Sequence, residues 1–182
     1  QHEVPAMAHR HRLIYLAMLL RMIALAGPLR LVAELPQLAA CRVSSPITID
    51  GKLDDAAWQL SIVAGEMRLL GTTQAAPRAT TFRILHDDAA LYIGVSCVIP
   101  AGGQHALPMA KAKTHDGPAY GDESIECYLQ PAGSADYFHF AVNTIGTRYE
   151  GKGFDKTWNC EWTAACARGQ DAWEAEIRIP FA

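Results

Sequence analysis

The chain has 182 residues, of which 50% are hydrophobic and 19% charged, enough for one domain with a real core and far from the make-up of a disordered chain. A formal net charge of -3, from 16 Lys and Arg against 19 Asp and Glu, leaves no basic footprint for nucleic acid and names no partner by electrostatics. Gly and Pro, at 14 and 10, are frequent without a period, which suits a many-turned β protein rather than a repetitive one.

The chain opens on Gln1 and stops after Ile179-Pro180-Phe181-Ala182, and it reads as a piece of a longer protein with Met7 as the start. His9, Arg10, His11 and Arg12 form a basic flank ahead of an apolar run from Leu13 to Leu20. Arg21 interrupts that run, Met22 to Gly27 resumes it, and Ala24-Leu25-Ala26 offers a small-residue cleavage pattern, so the segment reads as an export signal. Leu38-Ala39-Ala40-Cys41 looks like a lipoprotein cleavage box with Cys41 as the lipidated residue, but Arg30, Glu34 and Pro36 separate it from the apolar run. Residues 1–43 are therefore read as upstream segment and linker, and 44–182 as the folded domain.

Arg42 to Pro46 reads as linker and Ile47 to Asp50 as a short first strand, followed by a turn at Gly51-Lys52 and a helical turn that anchors Trp58 as a core plug. Met67 to Leu70 offers a further short strand. Ala79 to Leu85 and Leu91 to Val98 form a hairpin turning at His86 to Ala89, with Leu91, Ile93, Val95 and Cys97 on its single buried face. Ile99 to Ala119 loses all periodicity and mixes Pro and Gly with His105, His115, Lys111 and Lys113, the pattern of a disordered connection or a binding loop.

The clearest pattern follows. Ile125, Cys127 and Leu129 alternate with Ser124, Glu126, Tyr128 and Gln130; then, after a reversal at Pro131, Gly133 and Ser134, Phe138, Phe140 and Val142 alternate with Tyr137, His139 and Asn143. One face of this hairpin is apolar and must be packed; the other is polar, partly aromatic, and free to meet water or a ligand. Trp158 to Ala167 and Ala172 to Ile179 complete the set, the last with Trp173, Ala175, Ile177 and Ile179 inward and Glu174, Glu176 and Arg178 outward. Trp162 and Trp173 read as core. Repeated short strands at hairpin spacing predict an all-β, antiparallel, two-sheet sandwich of jelly-roll type.

The five cysteines, Cys41, Cys97, Cys127, Cys160 and Cys166, match no CxxC or zinc spacing. Cys97 and Cys127 share apolar strand faces and read as small buried hydrophobes. Cys160 and Cys166 lie too far apart along one extended segment to bridge each other.

Four ordered blocks, ITIDGKLDDAAW, FRILHDDAALYIGVSC, DESIECYLQP with FHFAVN and Gly146, and the closing WEAEIRIPF, resemble family-nine carbohydrate-binding modules over Ile47 to the end of the chain. That resemblance implies a β-sandwich that binds polysaccharide or oligosaccharide without cutting it, on an exported enzyme or surface protein with further domains. It places one aromatic wall of the sugar site at Tyr120, where the family has Trp, a hydrogen-bonding carboxylate at Glu126, and an amide at Asn143. A basic residue of the family is replaced by Ala141, and the second aromatic wall is implied to lie in a segment beyond Ala182, leaving the domain incomplete at its C-terminus.

Aromatic rings stack on the C–H faces of sugars, while carboxylates and amides meet hydroxyls, so Tyr120, Glu126 and Asn143 suit those roles. Asn143 also heads Thr144-Ile145-Gly146, where an Asn serves as a turn former. Tyr128, Tyr137 and His139 are neighbours by parity that widen the platform, and Trp158, in a turn-like loop, completes the candidates. No catalytic residues are indicated: Asp122 with Glu123, and Glu174 with Glu176, do not face each other across a cleft, and no hydrolase, phosphate-loop or dinucleotide motif is present. No cofactor is expected; calcium accompanies some family members, but no ligands for it can be named. Two alternatives remain: a structural or periplasmic sandwich on a surface protein whose polar face is merely solvated, and a haem-binding redox sandwich motivated by Met109 and the loop histidines.

Overall fold

The computed structural model describes residues 37–107 and 109–181. The signal-like segment up to Pro36 lies outside the described residues. Among those described, eight strands form in chain order: β1 (Cys41–Arg42), β2 (Thr80–His86), β3 (Ala90–Val98), β4 (Ser124–Leu129), β5 (Phe138–Asn143), β6 (Arg148–Lys152), β7 (Thr163–Arg168) and β8 (Ala172–Pro180). They make a five-stranded sheet in the order β1-β2-β3-β8-β7 and a three-stranded sheet in the order β4-β5-β6. Every pairing is antiparallel except the short parallel contact of β1 with β2.

The two sheets face each other across one core, as the alternation predicts. Ile93, Val95 and Cys97 of β3 and Trp173, Ala175 and Ile177 of β8 meet Phe140 and Val142 of β5, with Trp162 closing the layer. Each fully buried aliphatic or Phe side chain here contributes roughly 1.5–3 kcal/mol relative to exposure. The β2–β3 turn is set by Asp87, whose Oδ1 accepts from the backbone N–H of Ala89 and Ala90 at 2.7 Å and whose Oδ2 accepts from the Tyr92 hydroxyl at 2.8 Å.

Three sequence expectations need correction. Ile47 to Asp50 is irregular backbone, and the first strand is Cys41–Arg42, paired with Leu85 and His86. Met67 to Leu70 forms no strand beyond an isolated bridge of Arg68 with Ala75. The β2–β3 hairpin has two buried faces rather than one: Val43, Leu53, Ala57 and Trp58 cover its outer side and pack on Leu85, Ala90 and Tyr92. Gly94 is the point of closest approach, since a Cβ there would sit 2.6 Å from Leu53 Cδ2 and 3.0 Å from the Trp58 ring. Trp58 is a core plug as expected, but of this second core.

The covering arm also explains Glu176, read from its parity as outward and solvated. It does point to the outer face of β8, yet it is fully buried, and its Oε2 accepts from the backbone N–H of Asp50 and Gly51 at 2.8 Å while its Oε1 accepts from the Trp58 indole at 2.8 Å. Three donors on one carboxylate tie the arm to the sheet and offset the cost of burying the charge.

Candidate functional site

Register on the three-stranded sheet sorts its residues into two faces. Glu126, Ala141 and Tyr149 stand opposite one another, as do Tyr128, His139 and Gly151, and all of these share the face turned away from the core. The parity argument for an aromatic, polar face is therefore correct for the tip of the hairpin.

There the Tyr128 and His139 rings stack with centroids 4.2 Å apart and an interplanar angle of 10°. The same carboxylate oxygen, Glu126 Oε2, accepts from the Tyr128 hydroxyl at 3.0 Å and lies 2.9 Å from His139 Nε2. Glu126 Oε1 has no partner among the described residues. Burial and the adjacent Glu126 charge push the Tyr128 hydroxyl above its ordinary range, so it remains a neutral donor. Tyr120 stands in the 3₁₀ turn Ala119–Gly121, edge-on to Tyr149 at 4.8 Å and 6.1 Å from His139, with Lys156 Nζ 5.9 Å from its ring centroid. Tyr137 extends the strip at 5.9 Å from Tyr128. Tyr128 is 60% exposed and Tyr120 37%, so the strip presents ring faces and one free carboxylate oxygen to solvent. It is a surface rather than a cavity: two clefts of about 770 and 720 Å³ are lined elsewhere.

Two predicted residues are not brought to this strip. Asn143 lies on the expected face of β5 but is fully buried, because the connection after β3 folds over that end of the sheet. Its Nδ2 donates to Ala112 O at 2.9 Å and Asp122 Oδ2 at 3.0 Å, and its Oδ1 accepts from the backbone N–H of Ile145 and Thr147, so every polar atom is engaged within the protein. The turn-forming reading accounts for it. Trp158 lies on the core side of the sheet, 5.0 Å from Phe138 and 6.2 Å from Phe140, at the rim of the apolar cleft with Leu91, Ile179 and Phe181.

The connection itself is ordered cover. Asp122 accepts from the backbone N–H of Lys111 and Ala112 at 3.0–3.1 Å, and Ala112, Ala119, Ala141 and Tyr149 close into a small core beneath it. These bonds hold the Asp122 carboxyl below the usual range. Ala141, read from the resemblance as standing in the place of a basic residue, is fully buried under the connection and has no route to the surface.

The comparisons with known proteins meet this geometry at the level of architecture. No protein-family model matches the chain, and no curated protein matches it. Among solved structures, a family-nine carbohydrate-binding module from Caldicellulosiruptor kristjanssonii in complex with cellotriose superposes with a TM-score of 0.57 at 20% identity, over 80% of this chain and 68% of that one. The module in complex with glucose gives 0.58 at 18%, over 80% and 70%. A Bacteroides uniformis protein described as a candidate carbohydrate binder gives 0.58 at 15%, over 79% and 72%. These likenesses show the fold.

On that fold, the paired carboxylates of β8 are structural: Glu176 is consumed by the arm, and Glu174 Oε2 accepts from Leu53 N at 3.3 Å. Met109 is 81% exposed and His115 is directed at Glu150, so nothing gathers them into a haem pocket. Tyr149, Lys156 and Asp122 were missed from the sequence. For Tyr149 a signal existed, the parity of Tyr149 against Gly151 in a third strand; for Lys156 and Asp122 there was none.

Proposed function

We propose that the chain is a noncatalytic carbohydrate-binding domain whose ligand lies along the Tyr120–His139–Tyr128 strip. The observation that carries this reading is the fixed Glu126 carboxylate, held from one oxygen by Tyr128 and His139 with the other oxygen open beside exposed ring faces. A sugar stacks a C–H face on Tyr128 or Tyr120 and donates a hydroxyl to Glu126 Oε1. An open strip suits a segment of a polysaccharide chain rather than an engulfed small molecule. The bound sugars of the family-nine structures support the class of ligand, and the N-terminal apolar run supports export, with the domain acting as a tether for an enzyme or a cell at polysaccharide.

Isothermal titration with a panel of soluble oligosaccharides that includes cellotriose and glucose tests it. Binding to at least one sugar is expected, weakened by roughly tenfold or more, about 1.4 kcal/mol, in Tyr128→Ala and in Glu126→Ala. Binding untouched by both substitutions overturns the assignment of the strip. The burial of Asn143 and Ala141 favours one other reading, a sandwich domain of a surface protein with a solvated face; failure to bind any sugar in the panel selects it.

A further inference from the structure

Strand β6 turns Glu150 to the interior, where the residue is fully buried. Its Oε2 is served twice, by the Trp162 indole N–H at 2.7 Å and by His115 Nε2 at 2.8 Å. Its Oε1 is also buried and has no hydrogen-bond partner. A buried carboxylate oxygen without a donor is rare, because the desolvation is left uncompensated. The cations two residues away on the strand do not relieve it: Arg148 directs its guanidinium to the Trp162 carbonyl and lies over the Trp162 ring at 5.5 Å, and Lys152 pairs with Asp136 at 3.1 Å.

Two further ligating groups, His115 and Asp116, lie within reach of the Glu150 carboxylate. Asp116 Oδ1 lies 3.7 Å from His115 Nε2, and ligand atoms of His115, Asp116 and Glu150 all fall within 4.8 Å of one another. The loop that carries the first two is fastened to the edge of the sheet by Asp116 N donating to Arg148 O at 3.0 Å. The side chains of His115 and Asp116 are 44% and 42% exposed, which gives an ion a path from solvent to the buried carboxylate.

We propose that His115, Asp116 and Glu150 form a binding site for a divalent transition-metal ion of the zinc type. One imidazole and two carboxylates make a three-ligand set with room for water, the donor chemistry that Zn²⁺ and Co²⁺ take readily. Calcium, which collects six to eight oxygens, is a poor match for a set containing an imidazole. The ion compensates the buried charge and ties the 113–117 loop to β6. The proposal does not depend on the sugar-binding reading.

Tag-free protein stripped with EDTA is titrated with Co²⁺ by visible absorption and with Zn²⁺ by calorimetry, in the full chain. One equivalent of either ion is expected, with a cobalt d–d band, unaffected by excess Ca²⁺. His115→Ala and Asp116→Asn, both at solvent-accessible positions, each weaken binding by about tenfold or more, while near-ultraviolet circular dichroism stays that of the wild type. Absence of stoichiometric Co²⁺ and Zn²⁺ binding overturns the proposal, as does binding of equal strength in wild type and in both variants, or displacement of Zn²⁺ by Ca²⁺.

Discussion

Asp122 and Asn143 meet at 3.0 Å beneath the connection between β3 and β4, the carboxylate accepting from the amide, while both also hold the backbone of Ala112. Asp122, at the end of the connection, and Asn143, the last residue of β5, thereby clamp that long segment onto a sheet face that alternation alone would leave open. The clamp decides how much of the polar face reaches solvent, and so how large the proposed binding strip is.

The clamp is acid-sensitive. The Asp122 carboxyl is held low by backbone N–H donors from Lys111 and Ala112 and by Asn143, so its contribution is complete above the ordinary carboxylate range and is lost as pH falls through its folded value. Asp122→Asn is expected to lower the thermal midpoint at pH 7 and to flatten the fall in stability between neutral and acid pH. Thermal unfolding of wild type and variant across that range checks both.

A second anchor runs the other way. Burial raises the Glu176 carboxyl despite its three donors, so this group's contribution to stability is fully present below the ordinary carboxylate value and is lost as pH rises through the raised one. Trp58→Phe removes the indole donor and leaves Oε1 unpartnered in the second core. A loss of about 1–3 kcal/mol is expected, growing as pH rises through the raised value, because the ionised carboxylate feels the missing donor most. Urea denaturation at two pH values gives the comparison.

Desolvation pushes Cys127 up to about 11 and Cys166 up to about 12, and the Cys166 thiol donates to Asn143 O at 3.2 Å. At pH 8 the thiolate fraction of either is about a thousandth or less. Alkylation mapped by mass spectrometry is expected to spare both in the native protein and to modify both in denaturant; modification in the native state would place them nearer the surface.

Much of the fold was legible because period-two alternation on β3, β4, β5 and β8 is a direct trace of one apolar layer between two sheets. Alternation reports parity, not cover. Glu176 and Asn143 both have the polar parity read from the sequence, and both are buried, because irregular segments, 43–58 in one case and 109–122 in the other, lie across those faces. Tyr128 and His139 were legible as neighbours because nothing covers the hairpin tip. Trp158 carried no parity, being in a loop, and its ring turned to Phe138 and Phe140 for burial. Glu150 and His115, 35 residues apart, share no pattern that spacing could reveal.

The substitution most revealing of the cover is at Ala141. A basic side chain placed there tests whether the sheet face can be reopened. Ala141 is fully buried, with Ala112, Ala119 and Tyr149 packed around it, and an Arg side chain has no space without lifting the connection. Overpacking of this kind costs typically about 1–3 kcal/mol, and here an unpaired charge is buried as well. Ala141→Arg is therefore expected to destabilise by at least that amount and to speed hydrogen exchange at the Lys111 and Ala112 amides, whereas Ala141→Ser has a far smaller effect. If Ala141→Arg is instead as stable as wild type with those amides still protected, the connection is not packed on β5 as described.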